Sequence, residues 1–151
     1  MSNLVGPVRQ DKAVFRVKIR EREVLVDKLF DPRDELELMA KSFMDRKLSV
    51  LALQLQMKGA DEGEIESLIK KLVSLEKFNI IDLSRFLDIM MRRVGNLHDP
   101  VFVLGAIADN VNRLQPDANH AVVMAGVLVE DFAALNDPEK ERDFAASLRG
   151  N

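Results

Sequence analysis

The run ANHAVVMAGVLVEDFAAL, Ala118–Leu135, decides how this chain is read, because it holds the least polar segment in 151 residues. From Ala121 to Val129 there is no charge, amide or hydroxyl. A helix apolar on every side belongs inside a protein, with other elements covering it. A membrane span needs about 20 apolar residues, and this run stops short at Glu130-Asp131. Ala125 and Gly126 leave room for a neighbouring helix to come close. Valine is a mediocre helix former, so a buried strand over Val122 to Val129 is the rival reading. Helix is preferred because everything after Asp31 carries helix punctuation.

That punctuation recurs along the chain. Asp31-Pro32, Asp99-Pro100 and Asp137-Pro138 each place a capping carboxylate before a proline that loses no hydrogen bond at the first helical position. Asp34, Glu35 and Glu37 add negative charge where a helix dipole favours it. Asp61 and Glu64 are spaced as a capping box, Asp82 is the expected cap of the following helix, and Pro116-Asp117 leads into the central run. Gly59 and Gly95 read as stops. Between these marks apolar residues recur at three and four: Leu36, Met39, Ala40 and Phe43, then Leu48, Leu51 and Leu55. The next faces are Ile65, Leu68, Ile69, Leu72 and Val73, then Leu83, Phe86, Leu87, Met90 and Val94, then Val103, Ala106, Ile107 and Val111. Phe144 and Leu148 mark the last face, and Arg149-Gly150-Asn151 reads as a frayed tail. Residues 31–58 form one helix or two meeting at Asp45-Arg46-Lys47. Met124, Leu128, Leu87 and Ile107 are expected fully buried together.

The caps are evenly spaced, with 137 − 99 = 38 and 99 − 61 = 38 residues between them. Thirty-eight residues is the size of the α-hairpin units that helical solenoids stack. The polar positions do not match, and Asn110 falls opposite Leu72, so even spacing of similar helices is the simpler account than a true repeat.

Before Asp31 the pattern changes. Phe15, Val17 and Ile19 alternate with Arg16, Lys18 and Arg20, the period of a strand with one buried face. Glu23 to Asp27 is a second short extended candidate. Glu21-Arg22 between them is poor chemistry for a two-residue turn that wants positive φ. The reading is therefore mainly α, an antiparallel bundle or short stack of about six helices with a short N-terminal β element. Residues 1–12 read as a flexible arm and 13–148 as one domain, with a strand or hairpin over 13–27 and helices over 31–148.

Function is harder to reach. The chain has no cysteine, which removes thiolate metal sites, disulfides and a cysteine nucleophile. The start lacks a secretory signal, so the cytoplasm is the expected location. Net charge is −3, which argues against an obligatory nucleic-acid partner. Residues 1–30 carry seven basic and four acidic groups, whereas residues 116–151 carry three and seven. That asymmetry could orient a partner or a second copy.

Neither histidine sits in a metal-binding spacing: His98 borders a cap and His120 opens the central helix. The acidic cluster Asp61-Glu62-Gly63-Glu64-Ile65-Glu66 lacks the alternating ligands of a calcium loop. Arg92-Arg93, Lys70-Lys71 and Arg85 read as solvated surface. No catalytic motif is present, and no cofactor is implied. The expectation is a non-catalytic adaptor, assembly factor or chaperone-like protein that binds a protein partner or forms a homodimer. Phe15, Arg16, Val17, Lys18, Ile19 and Arg20 are the candidate partner-binding residues, because a strand needs an edge to pair with. The alternative is a small-ligand binder or enzyme with its site inside the helical stack, drawing on Asn110 and His120.

Overall fold

The computed structural model describes residues 10–150. Two strands, β1 (Asp11–Ile19) and β2 (Arg22–Phe30), precede six helices: α1 (Glu35–Met57), α2 (Glu62–Val73), α3 (Ile80–Met91), α4 (Pro100–Leu114), α5 (Ala118–Leu135) and α6 (Pro138–Gly150). Of the described residues 68% are helical. Most of the arm expected over residues 1–12 lies outside the described residues, but Asp11 and Lys12 belong to β1. The β element also runs on to Phe30, because Lys28 and Phe30 still have partners across the hairpin at Ala13 and Asp11.

The strands pair antiparallel, with Ile19 opposite Arg22, so the turn is Arg20-Glu21 rather than Glu21-Arg22. Arg20 adopts φ 56°, the positive value the turn demands at a position without glycine. Alternation places Ala13, Phe15, Val17 and Ile19 inside with Val24, Val26 and Phe30, against α1 and α2.

The helices form two rows. α1, α3 and α5 stack in one, while α2, α4 and α6 stack in the other, with the hairpin preceding α2. Equivalent positions of successive units therefore touch. Lys71 on α2 meets Asp109 on α4, 38 residues later, at 3.0 Å. Stacking at a constant step accounts for the even cap spacing without requiring repeat ancestry.

The caps follow the sequence with two shifts. Asp61 and Glu64 make the full reciprocal capping box, and Asp99 and Asp117 cap α4 and α5. The α1 cap is Asp34, accepting from the amides of Leu36 and Glu37, not Asp31. Asp31 instead accepts from the Arg33 amide and guanidinium in the turn before it. The α3 cap is Asn79, accepting from the Asp82 amide. An aspartate three residues into a helix resembles a cap in sequence, and the uncharged asparagine here takes the role. Residues 35–57 form one helix, ended by Gly59 at φ 89°. The tail does not fray where expected, since α6 continues through Arg149 and Gly150.

α5 is helical throughout but not fully enclosed. Ala121, Ala125, Leu128, Val129 and Phe132 are buried, whereas Val123 and Val127 face outward and Met124 is half-buried beside the core. A two-row stack covers a helix from its neighbours and from behind, which leaves one side open. By length and hydropathy α5 passes the bare test for a membrane span; its apolar side packs on α3, α4 and α6.

Candidate protein-docking face

α1 is apolar on two sides. Met44, Leu48, Leu51, Ala52 and Leu55 point into the core. Leu36, Met39 and Phe43, which read in sequence as part of that same stripe, lie on the opposite side. There they continue into Val50, Leu53 and Met57, all exposed, with Leu36 at 64%, Phe43 at 60% and Met57 at 78%. With Arg46 included, the spacing along this ridge is 3, 4, 3, 4, 3, 4, the spacing of a helix–helix seam. Monomeric soluble proteins rarely leave an apolar strip of this length uncovered.

Two hollows flank the ridge. One, of about 370 Å³, lies towards α3 and is lined by Phe43, Arg46, Lys47, Val50, Ser84 and Met91. The other, of about 280 Å³, lies towards β1 and is lined by Lys18, Arg20, Arg46, Ser49, Val50 and Leu53 with Gln56. Lys47 is neutralised by Asp88 at 2.7 Å and donates to the Ser84 hydroxyl, also at 2.7 Å. Among the described residues Lys18 and Arg46 form no ion pair.

The six strand residues singled out in sequence divide by face. Phe15, Val17 and Ile19 are in the core, and Arg16, Lys18 and Arg20 are exposed. The apolar face of β1 packs on the helices. Its outer edge is covered over the half nearer the turn, whereas the outward amides of Lys12 and Val14 have no partner among the described residues. The amide of Arg16 donates to Asp45 at 3.2 Å and that of Lys18 to the Ser49 hydroxyl at 3.0 Å, both on α1. In this register the outward amides of β2 are those of Glu23, Leu25, Asp27 and Leu29. They have no partner among the described residues, and the Leu25 and Leu29 side chains are exposed.

A second concavity of about 650 Å³ lies where the hairpin meets the start of α1 and the α2–α3 turn. Lys28 donates there to the carbonyls of Val73 and Leu75 at 3.0 and 3.2 Å. Burial pushes the Lys28 ammonium below the usual lysine range. Burial, aided by the charge of Asp34, pushes the Glu37 carboxyl up, and its Oε2 has no hydrogen-bond partner.

The polar residues considered for a site within the stack do not converge. Asn110 is buried in α4, while His120 is exposed at the start of α5 with its ring Nδ1 2.8 Å from Asp117. Neither borders the cavities described above. His98 contributes its backbone amide to Glu141. Lys70, Lys71, Arg85 and Arg93 of the basic grouping pair with Glu66, Asp109, Asp82 and Glu130. The acidic cluster is likewise accounted for by the capping box and by Arg20 and Arg22.

No protein-family model, curated protein or solved structure matches the chain. Its own surface therefore carries the functional argument. Sequence reasoning missed the α1 ridge for a definable reason: two apolar stripes on one helix blur into a single apolar helix. The signal that separates them is that Leu36, Met39 and Phe43 are in phase with Val50, Leu53 and Met57, and out of phase with Met44, Leu48, Leu51 and Leu55.

Proposed function

We propose that the protein is a non-catalytic protein-binding module, an adaptor, assembly or chaperone-like factor, and that the exposed face of α1 is its docking surface. The observation that carries this reading is the 3–4 ridge from Leu36 to Met57, apolar except at Arg46, on a helix whose other side already serves the core. Helix-in-groove recognition reads such i, i+3, i+4, i+7 anchors. The basic residues of β1 border the same surface, which joins the strand singled out in sequence to the helix beside it.

The test is a photo-crosslinking amino acid placed at position 43, with position 139 on α6 as control, in the native host. Discrete adducts at 43 that vanish in Met39→Ser/Leu53→Ser are expected. No adduct at 43, or the same adducts at 139, removes the reading.

A second reading rests on one specific feature, the unpaired Glu37 Oε2 beside Lys28 in the 650 Å³ concavity. A small ligand bearing a hydrogen-bond donor would satisfy it. Glu37→Ala abolishing the binding of a ligand identified by mass spectrometry of the purified protein would favour this reading.

A further inference from the structure

We infer that the occupant of this face is an amphipathic helix of a different protein, carrying acidic residues along one flank. The inference rests on the docking surface proposed above and adds the chemistry of what docks there. α1 has 23 residues, about 33 Å of axis at 1.5 Å per residue. A ridge of that length, with a hollow on either side between residues 43 and 56, is the complement of another helix, whose side chains fill the hollows as the ridge fills its grooves.

The two hollows differ in charge. On the α3 side Lys47 is already held by Asp88, and Phe43, Val50 and Met91 make an apolar lining bordered by Arg46, which the two hollows share. On the β1 side the charged lining is cationic throughout: Lys18, Arg20 and Arg46. Of these, only Arg20 has an ion partner among the described residues, Glu62 at 3.7 Å. Of the carboxylates in the adjoining hollow, Asp45 accepts from the Arg16 amide and Glu23 lies 3.8 Å from the Arg16 guanidinium, while Glu21 forms no ion pair among the described residues. A partner helix would thus gain from Asp or Glu on the flank that lies over β1, and that asymmetry would fix its direction.

The same charges disfavour a second copy of this chain. Arg46 stands at the midpoint of α1, since (35 + 57)/2 = 46. Any symmetric antiparallel pairing of two full-length ridges places Arg46 of both copies beside the twofold axis, with Lys18 close by. Like charges meet there, at the centre of the seam.

Two labelled 21-residue peptides test this, both with leucine at the seam positions, one flanked by glutamate and one by lysine. Fluorescence anisotropy with the full chain should show the glutamate peptide binding at least tenfold more tightly. Raising salt to about 0.5 M should shrink the difference as surface charges are screened. Lys18→Glu/Arg46→Glu, two exposed positions, should invert the preference while the circular dichroism spectrum stays unchanged. Equal binding of both peptides overturns the inference and leaves the docking face standing. Binding of neither, with adducts still forming at position 43, does the same. A dimer in sedimentation velocity that Phe43→Ser abolishes also overturns it, in favour of self-pairing. Loss of the position-43 adducts removes the docking face itself.

Discussion

The Glu141 carboxylate sits 2.7 Å from the backbone amide of Asp99 and also accepts from the His98 amide, at 2.9 and 3.1 Å. Glu141 is only 2% exposed. A side chain on α6 thus ties the last helix to the start of α4, where the free amides and the helix dipole both favour a negative charge.

Breaking that tie should be costly. Glu141→Ala leaves two amides without their acceptor, and bonds to charged groups contribute about 1.5–3 kcal/mol each. We expect a loss of roughly 2–4 kcal/mol in a urea titration, with Glu141→Gln intermediate because one oxygen remains. A loss under half a kcal/mol in Glu141→Ala would mean solvent replaces the carboxylate freely.

Core truncations should rank by burial rather than by the apolar character of the segment. Leu87→Ala and Ile107→Ala remove fully buried side chains and should each cost about 2–5 kcal/mol, as should Leu128→Ala towards the lower end. Met124, half-buried beside the core, should cost clearly less on truncation. Equal losses at 124 and 87, measured by thermal or chemical unfolding, would contradict the open side of α5.

Glu37 and Lys28 give opposite pH signatures. The folded Glu37 carboxyl titrates above its unfolded value, so the folded state holds the extra proton in that interval. Stability should fall as pH rises from the usual glutamate range through the raised folded value. Folded Lys28 titrates below its unfolded value, so stability should rise with pH between the lowered and the usual lysine range. Lys28, Asp31 and Asp34 are the charges acting on Glu37. In Glu37→Gln the acidic-side decline should disappear from a plot of urea midpoint against pH. An unchanged profile would assign the decline to another group.

The hairpin turn offers a backbone test. Arg20 is held at φ 56°, a region that costs a residue with a Cβ about 1–2 kcal/mol. Arg20→Gly should be neutral or stabilising by roughly half a kcal/mol once the entropy of glycine is included. Arg20→Val should destabilise by at least about 1 kcal/mol, since a β-branched residue is least tolerant there. Stabilisation by valine would place the turn elsewhere.

The parts of the fold legible in sequence were those fixed by local chemistry. Asp61 with Glu64, Asp99 before Pro100 and the alternation of Phe15, Val17 and Ile19 each specify their element within a few residues. The shifts came where a neighbour could do the same task. Asp34 rather than Asp31 caps α1, and Asn79 rather than Asp82 caps α3, because more than one short polar residue stands near the start of each helix. The candidate site was legible only in its basic half. Arg16, Lys18 and Arg20 stand out by alternation, but that Lys18 and Arg20 share a hollow with Arg46, Val50 and Leu53 depends on how α1 crosses the hairpin. No local pattern encodes that crossing.

The unequal edges of the hairpin also bear on how the protein behaves when crowded. An open strand edge is the usual starting point of runaway sheet assembly. Here β2 is open along its length, whereas β1 is sealed at Arg16 and Lys18 by Asp45 and Ser49 of its own helix. Two molecules joining β2 to β2 would make a four-stranded sheet whose outer strands are both β1, and each would arrive sealed beside its turn. Growth beyond the first pair is therefore blocked over the half of β1 that α1 covers.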